Sequence, residues 1–157
     1  MPSTEKSDNE NTLNQIALNP DVILGNCQLS RTPIRVTILT YFLNLSHAAT
    51  KNEIEASLTN YDRITVYRTL KSFEKKGLIH RVLGFEGEPK FALSDLMNVD
   101  KKEEHNHAHV HFHCLKCETT ICLPCTIPEI TIPKNFQIVT KSYSIEGICK
   151  NCIMEIN

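Results

Sequence analysis

Seven cysteines and seven histidines stand in this chain of 157 residues, and most of them are grouped. Cys114-Leu115-Lys116-Cys117 and Cys149-Lys150-Asn151-Cys152 are two CxxC knuckles. A tetrahedral zinc site takes four soft ligands at about 2.3 Å, and two knuckles each supply a pair from one tight turn. A redox dithiol would need only one such pair. Cys122-Leu123-Pro124-Cys125 is a third knuckle, stiffened by its proline. Three knuckles leave the pairing open on spacing alone. Cys27 stands by itself and reads as an inert thiol.

The histidines form a second constellation. His105, His107, His109, His111 and His113 alternate with other residues. On a strand such residues share one face, about 6.6 Å apart, so neighbouring imidazoles can share a metal ion and the outermost cannot. Val110 and Phe112 would then face a core, which favours a strand over 109–113. His105 and His107 follow the charged run Lys101-Lys102-Glu103-Glu104 and fit a flexible approach.

Thiols kept for metal imply a reducing compartment. No apolar run reaches the roughly 20 residues of a bilayer span, and Met1–Asn11 has no signal-peptide core, so a cytoplasmic protein with no membrane partner is expected. The net charge of −1 conceals an uneven distribution. Residues 31–90 carry ten cations and six anions, whereas the flanking segments are acidic. A basic middle segment suits a nucleic-acid surface.

The elements that must carry these residues are legible in outline. Residues 1–11 are polar and read as disordered. Leu13, Ile16 and Leu18 could open a helix that ends near Gly25. Thr32 and Pro33 start a second helix, with Ile34, Ile38, Tyr41, Phe42 and Leu45 on one face. Thr50-Lys51-Asn52-Glu53 matches a capping box ahead of Ile54 and Leu58. Asp62 can cap a fourth helix to about Lys76, with Val66, Leu70 and Phe73 inward, Arg63, Thr65, Arg68 and Lys71 largely elsewhere, and Gly77 ending it. Two strand-like runs, 78–83 and 90–93, flank a turn-rich loop. Helices followed by a hairpin, the last helix basic, is winged helix-turn-helix order, and that helix suits a major groove. Beyond Cys125, Ile127, Ile130, Ile132, 136–139 and 142–145 read as strands broken by Pro128 and Pro133. The fold expected is α+β: a winged helix over 12–94, a hinge over 95–106, and a small β-rich zinc-binding dimerisation domain over 107–157.

Four segments together resemble the ferric uptake regulator family, whose members sense iron, zinc, manganese or peroxide. They are Arg31-Thr32-Pro33-Ile34-Arg35, Thr65-Val66-Tyr67-Arg68-Thr69-Leu70 with Gly77-Leu78-Ile79, His109-x-His111-x-x-Cys114-x-x-Cys117, and Gly147-Ile148-Cys149-x-x-Cys152. They run in order over roughly residues 12–152. The resemblance implies a homodimeric repressor that binds a double-stranded DNA operator when loaded with metal, the zinc-uptake branch being favoured. It places Arg35, Thr65, Tyr67 and Arg68 at the DNA, structural Zn2+ on Cys114, Cys117, Cys149 and Cys152, and a regulatory Zn2+ or Fe2+ on His109 and His111. The family's other regulatory ligands are altered. Cys122 stands where a glutamate is usual, Ala92 replaces an acidic wing residue, and Lys141 replaces a histidine. His47 lies in a loop that usually supplies a ligand. The set implied is therefore His109, His111, Cys122 and His47, and thiolate with imidazole favours zinc.

Three other readings compete with this one. A peroxide sensor of the same family needs oxygen-rich ligands around iron. A zinc storage or delivery protein would not need the basic helix. A zinc hydrolase or deaminase lacks its signature, since Pro124-Cys125 has a proline, Pro128, where the second cysteine belongs. No enzyme activity is expected.

Overall fold

The computed structural model describes residues 19–82, 87–94, 109–125, 127, 129–139 and 141–155. The disordered start expected over 1–11, the hinge over 95–106, the opening Leu13, Ile16 and Leu18, the wing tip at 83–86, and His105 and His107 lie outside those residues.

The first half is a helical cluster closed by a three-stranded sheet. Helix α1 covers Pro20–Asn26, with Asn19 accepting from the Asp21 N–H at its start. Pro20 takes its first helical position, and it ends at Asn26, next to the Gly25 at which the sequence places a helix end. Helix α2, Pro33–Leu43, buries Ile34, Ile38, Leu39 and Phe42. Thr32 occupies its N-cap without a side-chain hydrogen bond, so Pro33 is the starting signal there. A two-residue strand β1, Ala49–Thr50, runs straight into α3, Lys51–Ser57. The capping box forms as the sequence predicts: the Glu53 N–H donates to Thr50 Oγ1 at 3.1 Å, and the Thr50 N–H donates to the Glu53 carboxylate at 2.7 Å.

Helix α4, Arg63–Lys75, begins at Asp62, whose carboxylate accepts from the Thr65 N–H at 2.9 Å. Val66, Thr69, Leu70 and Phe73 are its buried stripe. Gly77 ends it at φ +70, a conformation that costs glycine little. The Gly77 N–H donates to Glu74 O and the Leu78 N–H to Phe73 O, at 3.0 and 2.9 Å, which is the Schellman pattern. Strands β2 (Ile79–Val82) and β3 (Lys90–Leu93) then pair antiparallel, with β1 on the far side of β3. Glu74 clamps helix to sheet by pairing with Lys71 at 3.0 Å and with Arg81 of β2 at 2.7 Å.

The second half is a separate sheet in the order β5-β4-β6, built from β4 (Val110–Cys114), β5 (Thr120–Leu123) and β6 (Ser144–Gly147). Strand β4 is central, antiparallel to β5 and parallel to β6. Gly147 packs closely on Phe112: a Cβ there would stand 3.3 Å from the ring. A short helix α5, Lys150–Met154, carries Cys152 and had no sequence signal. The strands expected around Ile130, Ile132 and 136–139 do not form among the described residues. Prolines remove ladder donors from that stretch, and its Ile130, Ile132, Phe136, Ile138 and Val139 are exposed.

Candidate metal centres and DNA-reading surface

Three segments assemble the four thiols of the first group. Cys114 ends β4, Cys117 follows in the next turn, and Cys149 and Cys152 flank the start of α5. Their sulfurs lie within 4.8 Å of one another. Cys117 Sγ and Cys149 Sγ are 3.7 Å apart. A tetrahedral ion with bonds of about 2.3 Å to sulfur sets its sulfurs about 3.8 Å apart, so the residues fit zinc. The backbone N–H of Cys117 draws the pKa of Cys114 below the ordinary thiol value, against burial and with help from the Cys149 N–H, which lies 3.3 Å away. Burial pushes Cys152 the other way. The cluster thus gives up its first protons readily and its last reluctantly, the behaviour of thiols gathered for a cation.

The second group joins both halves of the molecule. His109, just ahead of β4, and His111 within it bring their imidazoles together, and Cys122 of β5 lies directly across from His111. From the wing sheet comes His80 of β2, whose cross-strand partner is the small Ala92. The three imidazole Nε2 atoms converge at 3.0 Å (His109 to His111), 3.1 Å (His109 to His80) and 3.2 Å (His80 to His111). Cys122 Sγ stands 3.6 Å from His80 Nε2. An ion with bonds of about 2.05 Å to nitrogen and about 2.3 Å to sulfur sets nitrogens about 3.3 Å apart and nitrogen about 3.6 Å from sulfur. These residues therefore also fit a tetrahedral ion. His80 and His111 are 4% and 3% exposed, and Ala48, Val82 and Ala92 pack beside Cys122 as a dry collar. Burial raises the Cys122 thiol to about 11. His80 Nδ1 meets Ser94 Oγ at 3.4 Å, which turns its Nε2 toward the group.

The structure brings His109, His111 and Cys122 together and leaves His47 out. Ala48, the next residue, turns into the collar, whereas His47 belongs to neither group of candidate ligands. The position the sequence offered to His47 is filled by His80. The lost wing carboxylate at Ala92 is likewise met from across the ladder. His113 shares the histidine face but pairs with Thr120 Oγ1 at 2.9 Å. Cys125 is exposed and in neither group, and Cys27 is packed in the first core. The histidine face of β4 is covered by the wing sheet, so β4 is sheltered on both sides, more than Val110 and Phe112 alone foretold.

The outer face of α4 is the other candidate surface. Ile64, Tyr67 and Arg68 are exposed there, Tyr67 by 47%. Lys51 Nζ and Lys71 Nζ flank the Tyr67 ring at 5.7 and 6.0 Å from its centroid. Thr65 is half-buried, and its hydroxyl donates to the Asp62 carboxylate. Arg35 reaches back to the Ser30 carbonyl at 3.0 Å and to the Ser30 hydroxyl.

The profile of the Ferric uptake regulator family matches residues 26–146, most of the chain. The chain belongs to the ferric uptake regulator family. Solved structures share the fold. A zinc uptake regulator complexed with zinc and DNA superposes with a TM-score of 0.63 at 16% identity, over 91% of this chain and 96% of that one. Holo XcZur gives 0.60 at 17%, over 90% and 99%. The ferric uptake regulator of Vibrio cholerae gives 0.52 at 22%, over 80% and 96%. No curated protein matches in sequence. As a ferric uptake regulator family member, the chain is a metal-responsive DNA-binding regulator with a winged helix ahead of a β-rich second domain. Within that family pattern, His80 is what sequence reasoning passed over. Its signal was present: it shares strand parity with Leu78 and Val82, a histidine on an apolar face.

Proposed function

We propose that this chain is a zinc-responsive repressor, with zinc as its co-repressor. The observation carrying the proposal is the convergence of His80, His109, His111 and Cys122, three nitrogens and one sulfur at tetrahedral spacings, drawn from both halves of the molecule. That donor set favours zinc over harder ions such as manganese or ferrous iron. Cys114, Cys117, Cys149 and Cys152 hold a structural zinc that supports a domain too small for a core of its own. Zinc at the mixed group would bind the wing sheet to the second sheet and favour one arrangement of the reading helix, which is the differential affinity a switch requires.

The chain acts as a homodimer on an operator in double-stranded DNA, in the cytoplasm. The exposed Ile130, Ile132, Phe136, Ile138, Val139 and Ile145 of the second half support a second copy as their cover. We assign DNA reading to 12–94 and dimerisation to 107–157. Tyr67 meets thymine methyls and Arg68 a base edge or phosphate, with Thr65 and Arg35 alongside. The peroxide-sensing reading finds little support, because no carboxylate belongs to the mixed group among the described residues.

The test uses the duplex that the zinc-loaded chain enriches from a random pool. Zinc should tighten binding to it at lower free concentration than ferrous iron, each relative to ordinary cellular levels. Arg68→Ala should weaken that binding by about 1–3 kcal/mol if Arg68 reads a base. Activation by iron ahead of zinc, with Cys122→Ser leaving the zinc response intact, would overturn the zinc assignment.

A further inference from the structure

Among the described residues, Lys90 and Ala48 tie the winged helix to the second half outside the metal groups, and both bond to one turn. Lys90, the first residue of β3, donates from Nζ to the Glu118 carbonyl at 2.6 Å and to Thr120 Oγ1 at 3.1 Å. The Ala48 N–H donates to the Thr120 carbonyl at 2.7 Å. Thr120 is fully buried, and its hydroxyl meets His113 as well. It can accept from the Lys90 ammonium while donating to the imidazole.

The receiving turn also belongs to the four-cysteine group. The Glu118 N–H donates to Cys114 O at 2.8 Å, and the Cys114 N–H to Thr119 O at 3.0 Å. Thr119 Oγ1 lies 3.3 Å from Cys117 Sγ. Glu118 itself sits at φ +58, a left-handed conformation that a non-glycine residue keeps only where its surroundings hold it. The carbonyl that Lys90 grips is thus aimed by a turn that carries two of the four thiols, Cys114 and Cys117.

A single attachment fixes a distance and leaves an orientation free. His80 enters the mixed group opposite Ala92, and Lys90 stands two residues from Ala92 along β3. Two residues of strand span about 6.6 Å, so the wing sheet is held at two neighbouring points, one at each group. We propose that the turn 114–120 is a socket for the wing, and that Lys90 is a positioning residue which transmits the order imposed by the structural zinc to the DNA-reading helix. The structural zinc then does more than support its own domain: it sets the angle from which the mixed group switches. This rests on the function proposed above.

The experiment uses the full chain with zinc in the four-cysteine group and either zinc or cobalt saturating the mixed group. The probe is the duplex enriched by the zinc-loaded wild type. Lys90→Met and Thr120→Val should each reduce DNA affinity at saturating zinc by about 10-fold, within the usual range of coupling between sites. Their cobalt spectrum should keep the tetrahedral bands with sulfur charge transfer, as in the wild type. Thr120→Ser, which keeps the hydroxyl, should keep wild-type DNA affinity. Unchanged affinity in Thr120→Val would overturn the proposal. If Lys90→Met then weakens binding with a shallower salt dependence, Lys90 is a phosphate contact instead. Loss of the cobalt bands in both variants would overturn it too, by reducing the joint to a folding role. A wild type that enriches no duplex with zinc would remove the proposed function first, and this inference with it.

Discussion

His80 of the wing sheet and His111 of the second sheet bring their Nε2 atoms within 3.2 Å of each other, although 31 residues separate them in sequence. Two buried imidazoles meeting ring edge to ring edge join the DNA-reading half to the half that carries the cysteines.

His80→Ala should abolish the mixed site and spare the other. Zinc content of purified protein should fall from two ions per chain to one, matching the two groups present, and the zinc-loaded protein should unfold at a lower temperature, as loss of one folded-state ligand requires. Zinc-dependent gain in DNA affinity should vanish. Two ions retained per chain would show that His80 is not a ligand.

Zinc entry at the mixed group should expel a proton. Burial holds the Cys122 thiol up at about 11, so at neutral pH it is protonated before metal arrives. Because the metal binds the thiolate, apparent affinity should rise as pH rises and fall as pH falls. Where the Cys122 proton is the one exchanged, the slope should approach about one decade per pH unit, and Cys122→Ser should flatten it. Competition titrations with a chelator of known pH dependence would measure this.

Cys152→Ser should cost the second sheet its metal. The three remaining sulfurs cannot complete the tetrahedron, and structural zinc contributes folding energy directly. The β4–β6 amides should lose protection from hydrogen exchange while those of α4 keep theirs. Uniform protection in both halves would mean that the sheet stands without its metal.

Gly77→Ala should destabilise the winged helix. A Cβ at φ +70 costs on the order of 1–2 kcal/mol in the left-handed region. Urea unfolding should show a lower midpoint at unchanged slope. Metal content should stay the same, because Gly77 lies outside both groups.

What could be read beforehand follows from how local each signal is. The capping box at Thr50 and Glu53, the Asp62 cap and the Gly77 stop are short-range hydrogen-bond patterns, and each appears where the sequence puts it. Strand alternation limits a shared site to neighbouring histidines, and it is the family resemblance that singles out His109 with His111. Cys122 could be singled out because it departs from the family pattern. His80 could not be joined to them from sequence, because its partnership depends on how two sheets pack across a long separation. The strands expected at 136–139 failed for a related reason: apolar residues there have no ladder partner within the described chain. Helix α5 is only five residues long, too short for a periodic pattern to announce it.

The parallel pairing of β4 with β6 sets an order of events for assembly. Parallel neighbours need a long crossover, and here the chain runs from β5 through residues 124–143 before β6 returns beside β4. Such non-local pairing is slow, because the ends of the loop must meet before any contact rewards the encounter. The first knuckle, at Cys114 and Cys117, leaves the ribosome well ahead of the second. A zinc ion met at that stage finds two thiolates of the four it requires. The cage closes only after Cys152 has emerged, and at that moment the metal pins the register of β6 against β4.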